Sequence, residues 1–473
     1  MPSAQKSLVI NIITGGSPGL WRNEEDESKH FTHSLDPWIK LAKIAERGKI
    51  HSLFVADHLT FFDSYKGPGN FREPARTGVF APRVDPAAVV TALSSVTKGL
   101  GFGITFSTVS EHPYHFARRL ASLDLLSNGR VGWNIVSSYL ESIGPNLLNG
   151  EPFPEHDERY VKSEEYVDVV LKLLLSSWRE DAVKYDKENG IFADPNLIRK
   201  INHKGKYFSV EGPGITEPTP QSFPVIIQAG TSRKGKELAA KNAEVVFVEG
   251  RSRETLAQDI KEIRSLAESY GRDPSSIKFL AGATPVLAKT HEEAIAKAQK
   301  IKEFATPEAG EVGFGGISGI DLSKYDLDDE IDYKGTNAIQ TITDNIFKKA
   351  KKNKPTKREV LKAYTAKLGN LIGTPSEVAD ELEKWVRDYD LDGFNLSYAV
   401  FPSGIEDIVD LLIPELQRRG IFHKDYAADT LRENINEQKG KLFLDEDHPA
   451  YKLRWTKDLT KEEFEEKIGF PPK

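Results

Sequence analysis

Val225-Ile226-Ile227-Gln228 is a short apolar run rich in β-branched residues. Ala229-Gly230-Thr231-Ser232 turns the chain, and a stretch of helical period follows through Ala240. Val245-Val246-Phe247-Val248 is a second short apolar run. A strand, a turn, a helix and a strand in that order make one crossover unit of a parallel sheet. Downstream, a helix over Glu254–Tyr270 leads to a strand over Lys278–Leu287 and a helix over Glu292–Ile301. Upstream, strands are expected at Leu8–Ile13, Leu53–Ala56, Gly101–Thr108 and Arg130–Val136. Their helices run from Asp36-Pro37 to Gly48, from Asp85-Pro86 onward, and over Tyr114–Leu126 and Tyr160–Trp178. Glu377–Tyr389, a strand at Gly393–Val400 and Glu406–Gln417 complete the pattern.

Eight such alternations predict an α/β fold with parallel strands, and eight units close a (β/α)8 barrel. The open doubly wound sheet is the rival. Gly15-Gly16-Ser17-Pro18-Gly19 after the first strand lacks the dinucleotide spacing, which favours the barrel. Two stretches interrupt the alternation: a mostly polar one at about 179–220, after strand 4, and one at about 306–374, after strand 7, that reads as irregular. The second contains Gly313-Phe314-Gly315-Gly316 and the basic run Lys348–Arg358, which reads as a solvated face. Residues 1–430 are thus expected to form one barrel with two insertions, and 431–473 a charged C-terminal extension.

The chain has 473 residues, 39% hydrophobic and 29% charged, with a formal net charge of −7. That composition excludes disordered and membrane-spanning classes and argues against bulk electrostatic binding of nucleic acid. Without a secretion signal, the expected location is the cytoplasm. The absence of cysteine removes disulfides, thiolate metal sites and a cysteine nucleophile.

In a barrel of this kind chemistry sits in the loops after the strands. Strand 2 is followed by Asp57-His58, and strand 3 by Thr108, Glu111 and His112. Strand 4 carries Asn134 and runs into Ser138. After strand 5, Gly230 permits close backbone approach, and Thr231 or Ser232 heads the next helix: an ordinary N-cap, or an anion site. His30-x-x-His33 and His112-x-x-His115 lack a third metal ligand, and no metal is expected. Asp57 and Glu111 would be the carboxylate pair of a glycosidase.

Several segments together resemble the bacterial-luciferase-like flavin monooxygenases, in the branch that includes nitrilotriacetate monooxygenase component A and dibenzothiophene-sulfone monooxygenase. They are Ala45-Glu46-Arg47-Gly48-Lys49 with Leu53-Phe54-Val55-Ala56-Asp57-His58, Ala117–Asp124 running into Leu126–Ser138, and Arg159-Tyr160. Gln228–Ser232, Gly373-Thr374-Pro375 and Asp392–Leu396 complete the set, and the resemblance runs from about Leu8 to about Arg432. It implies the same (β/α)8 barrel, with FMN at its C-terminal face. By the family pattern Asp57, Thr108 and Asn134 would lie along the isoalloxazine, and Ser138, Tyr160, Ala229, Gly230, Thr231 and Ser232 at the ribityl and phosphate end.

The implied reaction has two components. A separate NAD(P)H:flavin reductase would supply FMNH2, and this chain would use O2 to insert one oxygen into a small sulfur- or nitrogen-containing substrate through a flavin (hydro)peroxide. Trp21, Phe54, Phe247 and Phe314 are candidates for an apolar pocket, with His30 or His112 as a polar handle; His112, Asn134, Trp21 and Phe54 are the candidate catalytic residues. Arg22 or Arg83 facing the pocket would favour an acidic substrate. The 306–374 stretch is expected to be a lid. A homodimer or homotetramer is expected, with neither membrane nor nucleic acid as partner. The rivals are a deazaflavin-dependent oxidoreductase without oxygen insertion, the glycosidase and a non-catalytic flavin-binding protein.

Overall fold

Eight parallel strands close into a barrel in the computed structural model: β1 Val9–Ile13, β2 Ser52–Val55, β3 Gly101–Ser107, β4 Val131–Val136, β5 Val225–Ala229, β6 Val245–Val248, β7 Lys278–Ala283 and β8 Gly393–Leu396. Neighbours are sequential, and β8 returns to pair with β1 at Val9↔Gly393 and Asn11↔Asn395. The structure describes residues 7–14, 19–230, 232–248, 253–332, 338–339, 347, 354–365 and 371–470. Among them no helix is long and apolar enough to cross a membrane.

The helices surrounding the barrel begin where the local chemistry dictates. Helix α1 is Asp36–Arg47. Helix α2 (Pro86–Val96) has proline at its first turn and Asp85 accepting from Ala87 N. Helix α3 (Pro113–Leu126) is capped by His112, and α4 (His156–Leu175), α5 (Arg233–Asn242), α6 (Arg253–Ser269) and α7 (His291–Glu303) follow. Between the helices and strands lies the main core, in which Phe116, Trp133 and Tyr166 are fully buried.

Two strand expectations are shortened. Lys278–Leu287 leaves the barrel after Ala283, because Pro285 has no N–H to continue the ladder. Val286–Leu287 then pairs in parallel with Ile372–Gly373 outside the barrel. The last strand stops at Leu396.

The stretch expected to be irregular is corrected. Helix α8 (Pro307–Ser318) runs through Gly313-Phe314-Gly315-Gly316, capped by Thr306 and ended by left-handed Gly319, and α9 is Lys357–Thr365. Tertiary packing overrides the weak helix propensity of glycine here. A Cβ on Gly316 would fall 2.0 Å from the Phe62 ring, so only glycine lets α8 press onto that residue. A second core results, in which Phe62, Tyr65, Val312, Phe314 and Val360 meet above the barrel. The basic run is only partly solvated. Lys357 is buried, pairs with Glu311 at 2.9 Å and donates to Tyr325 O, while Tyr65 Oη donates to Glu311. Residues 348–353 of that run lie outside the described residues. Helix α10 (Pro375–Tyr389) starts with a capping box between Thr374 and Glu377.

The charged C-terminal residues are not all solvated. Helix α11 (Leu431–Asn436) inserts Leu431 and Ile435 among Val9, Val225, Ile227, Val245 and Leu280, the side chains filling the barrel's N-terminal end. Arg432, fully buried, holds Glu244 through two hydrogen bonds of 2.6 and 2.9 Å and donates to three backbone carbonyls.

Candidate active site

The opposite, C-terminal ends of the strands enclose a cavity of about 380 Å³. Its floor is apolar. Phe54 from β2 meets Phe247 from β6 edge to face, with ring centroids 4.5 Å apart, beside Ile13 and Ile135. Below this layer lies a polar one. Ser52 Oγ donates to Asn11 Oδ1 at 2.8 Å, and Asn11 Nδ2 to Asn395 Oδ1 at 3.1 Å. Asn134 Nδ2 donates to Thr105 Oγ1, whereas Asn134 Oδ1 is buried with no hydrogen-bond partner among the described residues. Gln228 Oε1 is in the same state. Buried acceptors of this kind are costly unless a ligand or water meets them.

At the end of β2, Asp57 and His58 line the cavity. Burial pushes the Asp57 carboxyl up to about 6, opposed by the charge of Arg83. Burial, and the same Arg83 charge, hold the His58 ring down at about 3, so it stays neutral at ordinary pH. His58 Nε2 lies 3.1 Å from Phe80 O, which places the ring proton on that nitrogen, and the ring stacks on Phe62. Arg83 itself donates to Ala56 O and Phe80 O and does not line the cavity, and neither does Arg22.

At the ends of β4 and β5 the lining changes to hydroxyls and backbone. Ser138 adopts φ +60°, a left-handed conformation unusual for serine, and its Oγ lies 2.7 Å from Ser107 Oγ. Gly230 has φ +152°, and among the described residues a Cβ there would meet only Tyr160 Oη, at 3.6 Å. Ser232 caps α5 by accepting from Gly235 N, and its hydroxyl faces Tyr160 Oη at 3.5 Å. A helix N-terminus beside hydroxyls suits an anion.

Of the residues expected from sequence, Phe54, Asp57, Ser138, Tyr160, Ala229, Gly230 and Ser232 come together around this cavity. Asn134 lies beneath it, and Thr108 spends its hydroxyl on Ser163 at 2.6 Å. Thr231 lies outside the described residues. Two candidates are placed elsewhere. Trp21 is 44% exposed, with Nε1 donating to Thr77 O. His112 is drawn into capping α3, with Nδ1 accepting from Tyr114 N. Phe314 is buried in α8 against Tyr364, and His30 is an exposed neighbour of His33. The glycosidase pair does not form, because Glu111 turns to Arg119 at 2.9 Å and is absent from the lining. No cluster of three metal-ligating side chains exists among the described residues.

His58, Tyr139, Arg159 and Asn395, which the sequence places at the strand ends or in the family segments without a role, also line the cavity, as does His156, which the sequence did not single out. His58 follows Asp57 at the end of strand 2, and Arg159 and Asn395 lie inside the family segments, which was the available signal. Tyr139 and His156 carried none beyond their place after β4 and before Arg159-Tyr160.

Comparison with known proteins agrees with this geometry. The luciferase-like monooxygenase family model matches residues 17–390. The long-chain alkane monooxygenase of Geobacillus thermodenitrificans is 41% identical over 449 residues, 95% of this chain and 97% of that protein. Nitrilotriacetate monooxygenase component A of Aminobacter aminovorans is 33% identical over 89% of this chain and 94% of its own. A riboflavin lyase crystal structure with modified FMN and riboflavin superposes with a TM-score of 0.87 at 34% identity, over 95% of this chain and all of that one. The chain belongs to the luciferase-like family of flavin-dependent monooxygenases.

Proposed function

We propose that the chain is the oxygenase of a two-component system, taking FMNH2 from a separate NAD(P)H:flavin reductase and using O2 to oxygenate a small organic substrate. The observation that carries this reading is the split character of one cavity. One end offers the α5 N-terminus, Gly230, Ser138 and Tyr160 for a ribityl phosphate; the other offers Phe54 and Phe247 for an apolar ring system. The donor set fits the cofactor in a further respect. The buried oxygens Asn134 Oδ1 and Gln228 Oε1 await hydrogen-bond donors.

Bound reduced FMN supplies the chemistry that activates O2. The chain's own residues bind, orient and dry the site. Ser232, Tyr160 and Gly230 hold the phosphate end, and the aromatic floor excludes water. Asp57 holds or releases a proton at its carboxyl near pH 6, while His58 remains a neutral acceptor at Nδ1. Neither Arg22 nor Arg83 reaches the lining, and Arg159, which does, donates to Pro154 O beside Tyr160, so the Phe54–Phe247 end favours an uncharged reacting group. The second core built on α8 and α9 serves as the cap, and the enzyme works as a cytoplasmic homo-oligomer.

The test is anaerobic titration of reduced FMN into the purified chain, then mixing with isotopically labelled O2 and a substrate panel. Saturable binding with label in an organic product is expected. Binding with hydride transfer and no O2 consumption would point instead to the deazaflavin type of chemistry, and no binding would refute the reading.

A further inference from the structure

A second chamber of about 280 Å³ adjoins the pocket, and the two share Tyr139, Leu140 and Ala338 as common walls. Its outer wall is formed by the loop at Asp63–Gly69 and the C-terminal end of α8, around Gly316 and Gly319. Both sides are fixed. Asp63 accepts from Ser142 N at 2.7 Å, and Asp321 accepts from Lys66 N and Gly67 N at 2.9 and 3.0 Å, tying the loop to α8. Ile339 N donates to Ile317 O, which anchors the Ala338 side of the waist. Asp63, Glu141 and Asp321 line this chamber, against Lys324 as the cation among the described lining residues.

Resting on the functional reading above, we infer that the substrate is elongated: its reacting part enters the inner pocket and its tail passes between Tyr139, Leu140 and Ala338 into the outer chamber. Two properties follow. The waist of Tyr139, Leu140 and Ala338 rewards an apolar tail, each methylene buried there improving affinity about fourfold. The carboxylates disfavour an anionic tail relative to a hydroxyl or ammonium tail of equal length. Ala338 is the residue that sets tail length, because it stands in the wall the two chambers share and a larger side chain there narrows the waist.

The experiment uses the full chain loaded with oxidised FMN and calorimetric titration of methyl n-alkyl sulfides from ethyl to dodecyl. Dodecyl chains ending in hydroxyl, ammonium or carboxylate are titrated in parallel. Affinity is expected to rise with length in the native chain. In Ala338→Trp the dodecyl probe is expected to lose about tenfold or more and the ethyl probe less than about twofold. Glu141→Lys, an exposed position, is expected to favour the carboxylate tail over the hydroxyl tail by about twofold to fivefold relative to the native chain. No length dependence in the native chain, or an unchanged one in an Ala338→Trp chain that still binds FMN, overturns the inference. The cofactor titration is separate: a native chain that fails to bind reduced FMN anaerobically refutes the functional reading, while the same alkyl series on the unloaded chain still decides the chamber.

Discussion

Replacing Gly230 by alanine isolates the backbone's part in holding the cofactor. At φ +152° the residue occupies a region that L side chains rarely adopt. Collision is not the obstacle, since among the described residues a Cβ would have only Tyr160 Oη within 4 Å, at an ordinary 3.6 Å. The cost is conformational, about 1–3 kcal/mol. A turn that keeps its shape shows that cost as lost stability. A turn that relaxes shifts the first amides of α5 and the Ser232–Tyr160 pair, and shows it as lost affinity, about fivefold to 150-fold. Fluorescence-quenching titration of FMN and the urea midpoint, measured on the same preparation, read the two arms. Gly271→Ala is the control. Its φ is +79° with nothing within 4 Å, and it follows α6 on the far side of the barrel. It is expected to lower the urea midpoint and leave FMN affinity unchanged. A Gly230→Ala chain with native affinity and native stability, or an equal loss of FMN affinity in Gly271→Ala, would refute the reasoning.

Other perturbations follow from the same structure. Burial raises the Asp57 carboxyl to about 6, so turnover is expected to change between pH 5 and 7 and to be flat there in Asp57→Asn; identical profiles would remove Asp57 from the reaction. Arg432→Met strands the half-buried Glu244 and is expected to cost about 3 kcal/mol in urea unfolding, partly recovered by adding Glu244→Gln. Burial lowers His51 well below 6.5 and His448 to about 4, so the unfolded chain takes up protons first as the pH falls. Stability present above pH 6.5 is therefore lost towards pH 4, with a shallower slope in His448→Gln; a urea midpoint constant from pH 7 to 5 would contradict this.

The barrel was legible because its strands are short, continuous apolar runs separated by helix-period segments. The family segments sit at the strand ends, so most of the cavity lining was legible too. What failed was exposure of a different kind. Trp21 and His112 fall in the correct loops by sequence position, but a loop residue's direction depends on its local bonds. Trp21 follows the Thr77 carbonyl and His112 follows the open amides of α3. The glycine-rich part of α8 failed for the opposite reason. Its local propensity argues against a helix, while its capping signals, Thr306-Pro307 at one end and Gly319 at the other, were present in the sequence. The C-terminal residues were judged by charge, yet Arg432 is charged and fully buried because Glu244 and three carbonyls meet it.

The misread helix is also what connects the cap to the chemistry. Gly316 lets α8 approach until the Phe62 ring fills the space a side chain would need. Phe62 in turn stacks on His58, with centroids 5.0 Å apart and planes at 24°, and His58 lines the inner pocket beside Asp57. The same glycine borders the outer chamber. One close helix approach therefore seats the imidazole next to the titrating carboxylate and shapes the adjoining space. The cap is held down by a buried Glu311–Lys357 pair, 2.9 Å apart, with Tyr65 as third partner. Removing one member of such a group exposes the desolvation cost of the others. Closure at α8 and order at His58 are thus a single packing arrangement, and residues that never touch the cavity decide its shape.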